Sequence, residues 1–459
     1  MMTNKFYQTW YTDDTSTTYH WGGLDDYNNP IPLDALPLVE LLVNGITTLT
    51  EGVEFTVDRA NATFDLTGGS APNGVFADED TVRGLAGRTE AGNTTKIEKM
   101  KYWHIFGGDN DTRVFLAGNP DFANEDYRSG VNDATYWPVN ALDVLGDKSD
   151  PILGYSTQYG AQVIHKEIEI YVGYLDIDTT TDIYSFKRKP ITDNVQFVAP
   201  DSLSLIENDP MFVTKKGVFK YVGSGERDER NVEPMSDRID RNINVTGRDG
   251  ILQAGDLEKY TSIDFDHKYI IFNGTIAWVY DYRYKDEYGK GEWFVWTSCP
   301  YETAIVIDEE LYVGSNVDGS VYKYTPGLYN DDGAAIDAYI DSKVFSLGSY
   351  SEVKFMDKLF YTLKSSLRAS ASLYVRTDIL NSGFEFINTQ YQSIFSYGPT
   401  FTYGPTFTYG GSIFSDTKPE KLRYRNLEFI QWRLRNNVVN ENMGIESVVM
   451  KYAIKREVT

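Results

Sequence analysis

From about residue 100 the chain repeats one local grammar: a hydrophobic run, a tight polar turn, then a second run rich in Val, Tyr or Phe. "YWHIFGGDNDTRVFLAGNPDF" turns on Gly, Asn and Asp, and "ILGYSTQYGAQVIHKEIEIYVGYL" turns around Gly160. "DPMFVTKKGVFKYVG" turns at Lys215-Lys216-Gly217, and "HKYIIFNGTIAWVYDYRY" at Asn273-Gly274, a dipeptide suited to a tight hairpin. The units recur at roughly 40 to 60 residues, unevenly because of loops such as 223–242. Four-stranded repeats at that period predict an all-β chain with a β-propeller body. "IAWVYDYRYKDEYGKGEWFVWTS" reads as the two outer strands of one blade and "TAIVIDEELYVGSN" as the inner pair of the next. A β-sandwich, or several small β domains, fits the same alternation.

The flanks differ from this body. Helix signals are few, namely "DALPLVELLV" (34–43), interrupted by Pro37, and "NTTKIEKMKYW" (93–103). "VEFTVDR" and "ATFDLTG" flank a turn at Ala60-Asn61, inside a small antiparallel meander over about 35–85. "DEDTVRGLAGRTEAGNTT" reads as a linker or mobile loop, and "KFMDKLFYTLKSSLRASASLYVRTD" as a long hairpin around Ser365-Ser366. The expected division is N-terminal strands at 1–34, a small inserted or N-terminal antiparallel β domain at 35–90 and propeller blades at 91–345. A C-terminal β segment follows at 346–459, with hairpins, an aromatic repeat and closing strands.

Composition narrows the function classes. At 41% hydrophobic and 14% aromatic, with 34 Tyr, the 459-residue chain has ample core material and favours pleated surfaces. The formal charge of −24 argues against a nucleic-acid grip, although a passage that DNA slides through benefits from not sticking. One cysteine, Cys299, excludes a disulfide framework and a multi-thiolate zinc site, so folding in a reducing cytoplasm is expected and sequons such as Asn61-Ala-Thr carry no weight. No apolar run reaches the roughly 18 residues of a membrane helix, and no signal peptide is expected.

Chemistry is sparse. His20, His104, His165 and His267 share no metal-ligand spacing, and no phosphate loop or nucleophile elbow is present. Propeller-fold sugar enzymes set two or three acids around a central pocket, for which Asp25, Asp109 and Glu226 are candidates, but 67 acids make such positions unspecific. The oxygen-rich turns at 107–113, 174–182 and 316–320 lack the EF-hand pattern, and Asp and Asn also serve as plain turn formers. No cofactor, metal or catalytic residue is expected, which favours a structural or interaction protein.

Several longer phrases carry a resemblance. "RVFLAGNPDFANEDYRSGVNDATYWP", "ILGYSTQYGAQVIHKE", "VEPMSDRIDRNI" and the aromatic repeat before "RNLEFIQWRLRNN" resemble segments of propeller proteins in tailed-bacteriophage virions, of the packaged-DNA stabilisation or nozzle type. The likeness spans roughly 100–459 and is one of pattern; the blades do not align residue by residue. It implies a virion protein of the neck or tail, assembled in the bacterial cytoplasm as a homo-oligomeric, commonly hexameric, ring below the portal and adaptor. Such a ring would surround the DNA exit path, retain packaged DNA and hold tail fibre or tail proteins. The competing reading is a carbohydrate-binding or glycan-cleaving propeller.

Two C-terminal features are candidate contacts. "SIFSYGPTFTYGPTFTYGGSIFS" (393–415) repeats a six-residue unit whose prolines bar a helix. Its Phe395, Tyr397, Phe401, Tyr403, Phe407 and Tyr409 alternate onto one edge of an extended ribbon, a candidate subunit contact, with an aromatic ligand platform as the alternative. The closing strands alternate apolar and basic residues, so Arg423, Arg425, Arg433 and Arg435 are candidate contacts for an acidic partner.

Overall fold

The computed structural model describes residues 4–11, 18–21, 32–33, 39–44, 47–66, 81–88, 96–107, 112–130, 134, 137, 141–178, 183–192, 194–222, 232–240, 250–287, 289–348, 352–364, 368–379, 383–393 and 417–457. These residues are overwhelmingly antiparallel β structure, and the chain divides into two compact units, 1–324 and 325–459.

Most of the first unit is a run of five antiparallel meanders, each adding its strands in chain order. Sheet I holds Tyr102–Phe106, Arg113–Ala117, Glu125–Arg128 and Leu142–Val144. Sheet II holds Ile152–Gln158, Ala161–Lys166, Ile170–Asp178 and Ile183–Thr192. Sheet III holds Ser204–Ile206, Asp209–Thr214, Gly217–Tyr221 and Val232–Pro234. Sheet IV holds Thr261–Phe265, Lys268–Phe272, Ile276–Asp281 and Glu292–Thr297, and sheet V holds Tyr301–Ile307, Glu310–Ser315 and Val321–Lys323. The pairings expected within 276–297 and 301–315 are present as the last two strands of IV and the first two of V.

Each sheet packs its face on the next, with their first strands adjacent. Ala117 and Leu145 of sheet I meet Ile152, Ile164 and Tyr171 of sheet II. Val163 and Val172 meet Phe212 and Tyr221 of sheet III, whose Met211 and Val213 share a core with Tyr269, Ile271 and Trp278 of sheet IV. On the other face of IV, Ile270, Phe272 and Val279 pack on Leu311 and Val313 of sheet V. The middle sheets therefore bury both faces, and Ala161–Lys166 and Asp209–Thr214 are buried at every position. The end sheets do not: Trp103 is 68% exposed on sheet I and Ile305 is 54% exposed on sheet V.

In sheets II to V the first two strands are joined by two-residue turns, Tyr159-Gly160, Glu207-Asn208, Asp266-His267 and Asp308-Glu309. All eight residues have φ between 47° and 75°. Such paired left-handed residues match the right-handed twist of a tight hairpin, and they recur here even where neither residue is Gly.

The N-terminal part corrects three expectations. The segment Glu40–Val43, placed in a helix from sequence, is a strand with Leu41 and Val43 buried by alternation; of 34–43 only 39–43 is described. Of 93–103 only 96–103 is described, with 96–97 helical, and Tyr102 and Trp103 open sheet I. The expected linker contains Thr81–Arg88, a strand paired on both sides, with Asn4–Tyr11 and Glu40–Val43. Its glycine is a packing device: a Cβ at Gly84 would lie 2.2 Å from the Trp21 ring and 2.8 Å from that of Trp10. The hairpin of Phe55–Asp58 with Thr63–Leu66 forms as expected, and the core gathers Trp21, Phe55, Phe64, Leu41 and Val82.

In the second unit, sheet VI orders Ala338–Asp341, Ile430–Asn436, Arg368–Thr377 and Glu385–Ser393; sheet VII orders Thr417–Leu427, Glu352–Leu363 and Ile445–Glu457. The expected hairpin around Ser365-Ser366 is not one, since Glu352–Leu363 and Arg368–Thr377 belong to different sheets. They face each other across one core, Leu359, Tyr361 and Leu363 against Ala371, Leu373 and Val375. Both strands alternate in the same way whether the chain folds back in plane or arches over, and the shared core selects the arch.

Candidate functional site

Among the described residues of the first unit the buried acids are Asp126, Asp150 and Asp209, near the seams between sheets, and each meets a cation. Between sheets I and II, Arg188 gives Nη2 to Asp126 at 2.7 Å, Nε to Asp143 at 3.3 Å and Nη1 to the Gln162 side-chain oxygen at 2.6 Å. The Tyr155 hydroxyl donates to Asp126 at 2.6 Å, and Arg128 reaches Asp143 at 3.1 Å. Gly173 makes room, since a Cβ there would lie 1.9 Å from the Arg188 guanidinium. Burial pushes the Asp126 carboxyl up against the pull of Arg188 and Tyr155, and pushes the Tyr155 hydroxyl well up too. In the same seam the fully buried Lys166 pairs with Asp150 at 3.2 Å and donates to the Leu145 carbonyl at 2.8 Å. Between II and III, Asp209 takes Lys220 at 2.6 Å and the Gln158 amide at 2.8 Å.

The four histidines are spread through this framework. His104 sits between Thr157 at 3.0 Å and Gln162 at 3.1 Å. His165 is fully buried against Phe197 and Phe212 and meets the Ser156 hydroxyl at 2.8 Å. Burial drives its imidazole down to about 3, so it is neutral at pH 7. His267 occupies a tight turn beside Tyr282, and the His20 carbonyl accepts from the Trp10 indole. No group of three or more metal-ligating side chains is found among the described residues.

A cavity of about 40 Å³ opens between sheets III and IV, lined by Glu207, Lys220, Tyr280, Tyr282, Lys285 and their neighbours. That is room for about three waters, well short of a sugar ring. Tyr282 donates from this cavity to Asp264 at 2.8 Å, and burial raises the Asp264 carboxyl. The sugar-enzyme candidates Asp25, Asp109 and Glu226 lie outside the described residues. Of the oxygen-rich turns, 316–320 is described throughout; there Asp318 accepts from the Ser320 amide at 3.1 Å, as a turn former does.

In the second unit the four arginines separate. Arg433 makes a two-pronged pair with Asp341 at 2.6 and 2.7 Å and stacks between Tyr339 and Phe384 at 4.3 Å from each ring. Arg435 grips Asp337 at 2.6 and 3.0 Å. Arg423 and Arg425 instead stand exposed on the outward face of sheet VII, beside Lys421 and opposite the inward Leu422 and Tyr424. Sequence gave no sign of this division, because the Asp partners lie about 90 residues upstream. Phe395, Tyr397, Phe401, Tyr403, Phe407 and Tyr409 fall outside the described residues.

No family model matches the chain, and no curated protein matches it. Among solved structures it is similar to an exo-β-1,3-galactanase from Phanerochaete chrysosporium with β-1,3-galactotriose, at 8% identity over 76% of this chain and 95% of that one, TM-score 0.24. The galactose complex of that enzyme gives 9% identity, 77% and 94% coverage and a TM-score of 0.26. A Saccharomyces cerevisiae complex of dbp5 with nup159 and gle1 gives 9%, 94% and 95%, and 0.20. Likenesses this distant carry no functional argument.

Proposed function

We propose that the chain is a non-enzymatic structural subunit, a ring-forming component of a tailed-phage neck or tail beneath the head–tail connector. In this reading sheets I to V are propeller blades whose first strands line the axis. The two apolar end faces, with Trp103, Ile105 and Val144 on sheet I and Ile305, Ile307 and Val321 on sheet V, are the surfaces that closing such a ring would cover. The ring surrounds the DNA exit path, its acidic charge lets DNA pass without adhering, and portal, adaptor and tail or fibre proteins are its neighbours.

The observation that carries the non-enzymatic reading is the use made of buried acid. Asp126 is spent on Arg188 across the seam of sheets I and II, Asp150 on the buried Lys166, and Asp209 on Lys220 of its own sheet and on Gln158 of sheet II. The phage setting rests on the sequence resemblance. Electron microscopy of the purified full chain, alone and with a portal–adaptor assembly, is the test. Rings of several copies are expected, and a lone monomer that never joins the assembly would overturn the proposal.

One residue favours the glycan-active alternative: Asp264, a raised carboxyl bonded to a cavity tyrosine. Polysaccharide hydrolysis that disappears in Asp264→Asn, with folding intact, would establish that alternative instead.

A further inference from the structure

The −24 charge is not spread over the chain. Residues 325–459 hold 15 Lys and Arg against 14 Asp and Glu, so the acid excess, 53 against 28, lies in residues 1–324. Within the near-neutral second unit, basic groups collect on the outward face of sheet VII. Its register sets Lys358 of the central strand directly between Lys421 and Lys451 of its two neighbours. Strands lie about 4.8 Å apart, so the backbones of the three lysines span roughly 10 Å across the sheet. Arg425 sits one step along, opposite Phe355 and Ala453, and Arg423 lies between Arg425 and Lys421.

Like charges directly across a sheet are destabilising, so such a row is a cost to the isolated unit. Its relief inside the chain is slight. Asp357, in the bulge beside Lys358, approaches Lys451 at 4.0 Å, and among the described residues no ion pair neutralises Lys358, Lys421, Arg423 or Arg425. Apolar groups interleave with the cations: Phe355 and Phe360 are half-buried and Val449 is 56% exposed on the same face. A basic, partly apolar sheet face on a chain whose other unit is strongly acidic has its complement in a second copy of that chain.

We infer that the outward face of sheet VII docks on the acidic first unit of a neighbouring copy. The contact is head-to-tail, because one face is basic and its complement acidic, and repetition of such a contact closes a ring or extends a filament. The inference deepens the ring-forming reading and rests on it for the presence of a second copy.

The test is self-association of the full chain by sedimentation, comparing wild type with Lys358→Gln/Lys421→Gln/Lys451→Gln. A control, Lys99→Gln/Lys215→Gln/Lys259→Gln, makes the same change in net charge at exposed lysines of the first unit. The ladder variant is expected to associate at least about tenfold more weakly, the control within about twofold of wild type, and salt from about 50 to 300 mM to weaken wild type as the ladder substitutions do. The ladder variant should melt no lower than wild type, since a repulsive row has been removed. Mixed with wild type it should shorten assemblies, because each variant copy accepts a neighbour and offers none.

Wild-type oligomers unaffected by the ladder substitutions would overturn this interface and leave the ring standing. A wild type that stays monomeric overturns both. Loss of duplex-DNA binding in the ladder variant with self-association unchanged would assign the face to a nucleic-acid backbone and overturn the inference as well.

Discussion

Replacing Arg188 with Met tests how the first two meander sheets are joined. The Arg188 side chain is 6% exposed; its guanidinium bonds Asp126, Asp143 and Gln162 and lies 5.2 and 5.5 Å from the rings of Phe115 and Phe186. Met preserves much of the buried stem against those rings and removes the charge. Asp126, whose side chain is 0% exposed, then keeps the Tyr155 hydroxyl and the more distant Arg128. Breaking one partner out of a buried pair costs about 3–5 kcal/mol, and the remaining Arg128 places this case near about 3. For a body of this size that lowers the melting temperature by about 6 °C. The deficit carries a pH signature. Without Arg188 the folded-state pKa of Asp126 rises further above its unfolded value of about 3.9, so the variant loses stability as pH climbs from about 4 through that raised value. Urea unfolding followed by tryptophan fluorescence at pH 4.5 and 7.5 should give a larger gap from wild type at 7.5. Asp126→Asn combined with Arg188→Met should be less damaging than Arg188→Met alone. A gap below about 1 kcal/mol at pH 7.5, or an equal gap at both pH values, would refute the view that this seam is built on a neutralised buried carboxylate.

Three other outcomes follow from single sites. His165 has a folded pKa of about 3 against about 6.5 unfolded, so stability is full above pH 6.5 and falls by about 1.4 kcal/mol per unit below it. Denaturant midpoints from pH 7 to 5 should show this slope in wild type and a shallower one in His165→Gln. Gly84→Ala forces a methyl into the Trp21 and Trp10 rings and should cost about 1–3 kcal/mol, read as a lower melting temperature with altered tryptophan emission. Arg433→Ala removes the two-pronged Asp341 pair and the stack between Tyr339 and Phe384, for a loss of about 1–2 kcal/mol. Its self-association should match wild type, since this arginine is occupied within sheet VI.

The meander body was legible because hairpins advertise themselves locally. Asn273-Gly274 and Tyr159-Gly160 lie at the strand connections read for them. What local pattern could not supply was which strands pair when the partners are far apart in sequence. Glu40–Val43 looks helical alone, and becomes a strand because Thr47–Thr50 and Thr81–Arg88 flank it. Thr81–Arg88 looks like a linker because its buried positions, Val82, Gly84 and Ala86, are small where two Trp rings need space. Glu352–Leu363 and Arg368–Thr377 are adjacent in sequence and strongly alternating, which describes a hairpin and an arch equally well. The buried Arg188 network was invisible for the same reason: Asp126 and Arg188 are 62 residues apart and meet through sheet stacking.

The lysine row shows how far such information lies from the primary pattern. In Glu352–Leu363 the inward residues are Lys354 and Met356 and then, past an irregularity in the pairing, Leu359, Tyr361 and Leu363. Strict alternation from Met356 would turn Lys358 into the core and Leu359 to solvent. The bulge between Met356 and Lys358 adds one residue and exchanges those faces, and it recurs in the pairing with both neighbouring strands. Lys358 thereby comes between Lys421 and Lys451, which are 63 and 93 positions further along the chain. The extra residue, Asp357, is what lets Leu359 stay in the core and Lys358 stay outward after an inward Met356. Deleting Asp357 sets Lys358 directly after the inward Met356, so it is expected to keep Lys358 outward and Leu359 in the core while removing the carboxylate beside Lys451, whereas Lys358→Gln leaves the core intact and removes the central charge of the face. By sedimentation, the deletion is expected to keep self-association and Lys358→Gln to weaken it, with Leu359 packed in both. If Lys358→Gln lowered the melting temperature by as much as a core substitution does, Lys358 would belong to the core and the outward face would lose its central charge.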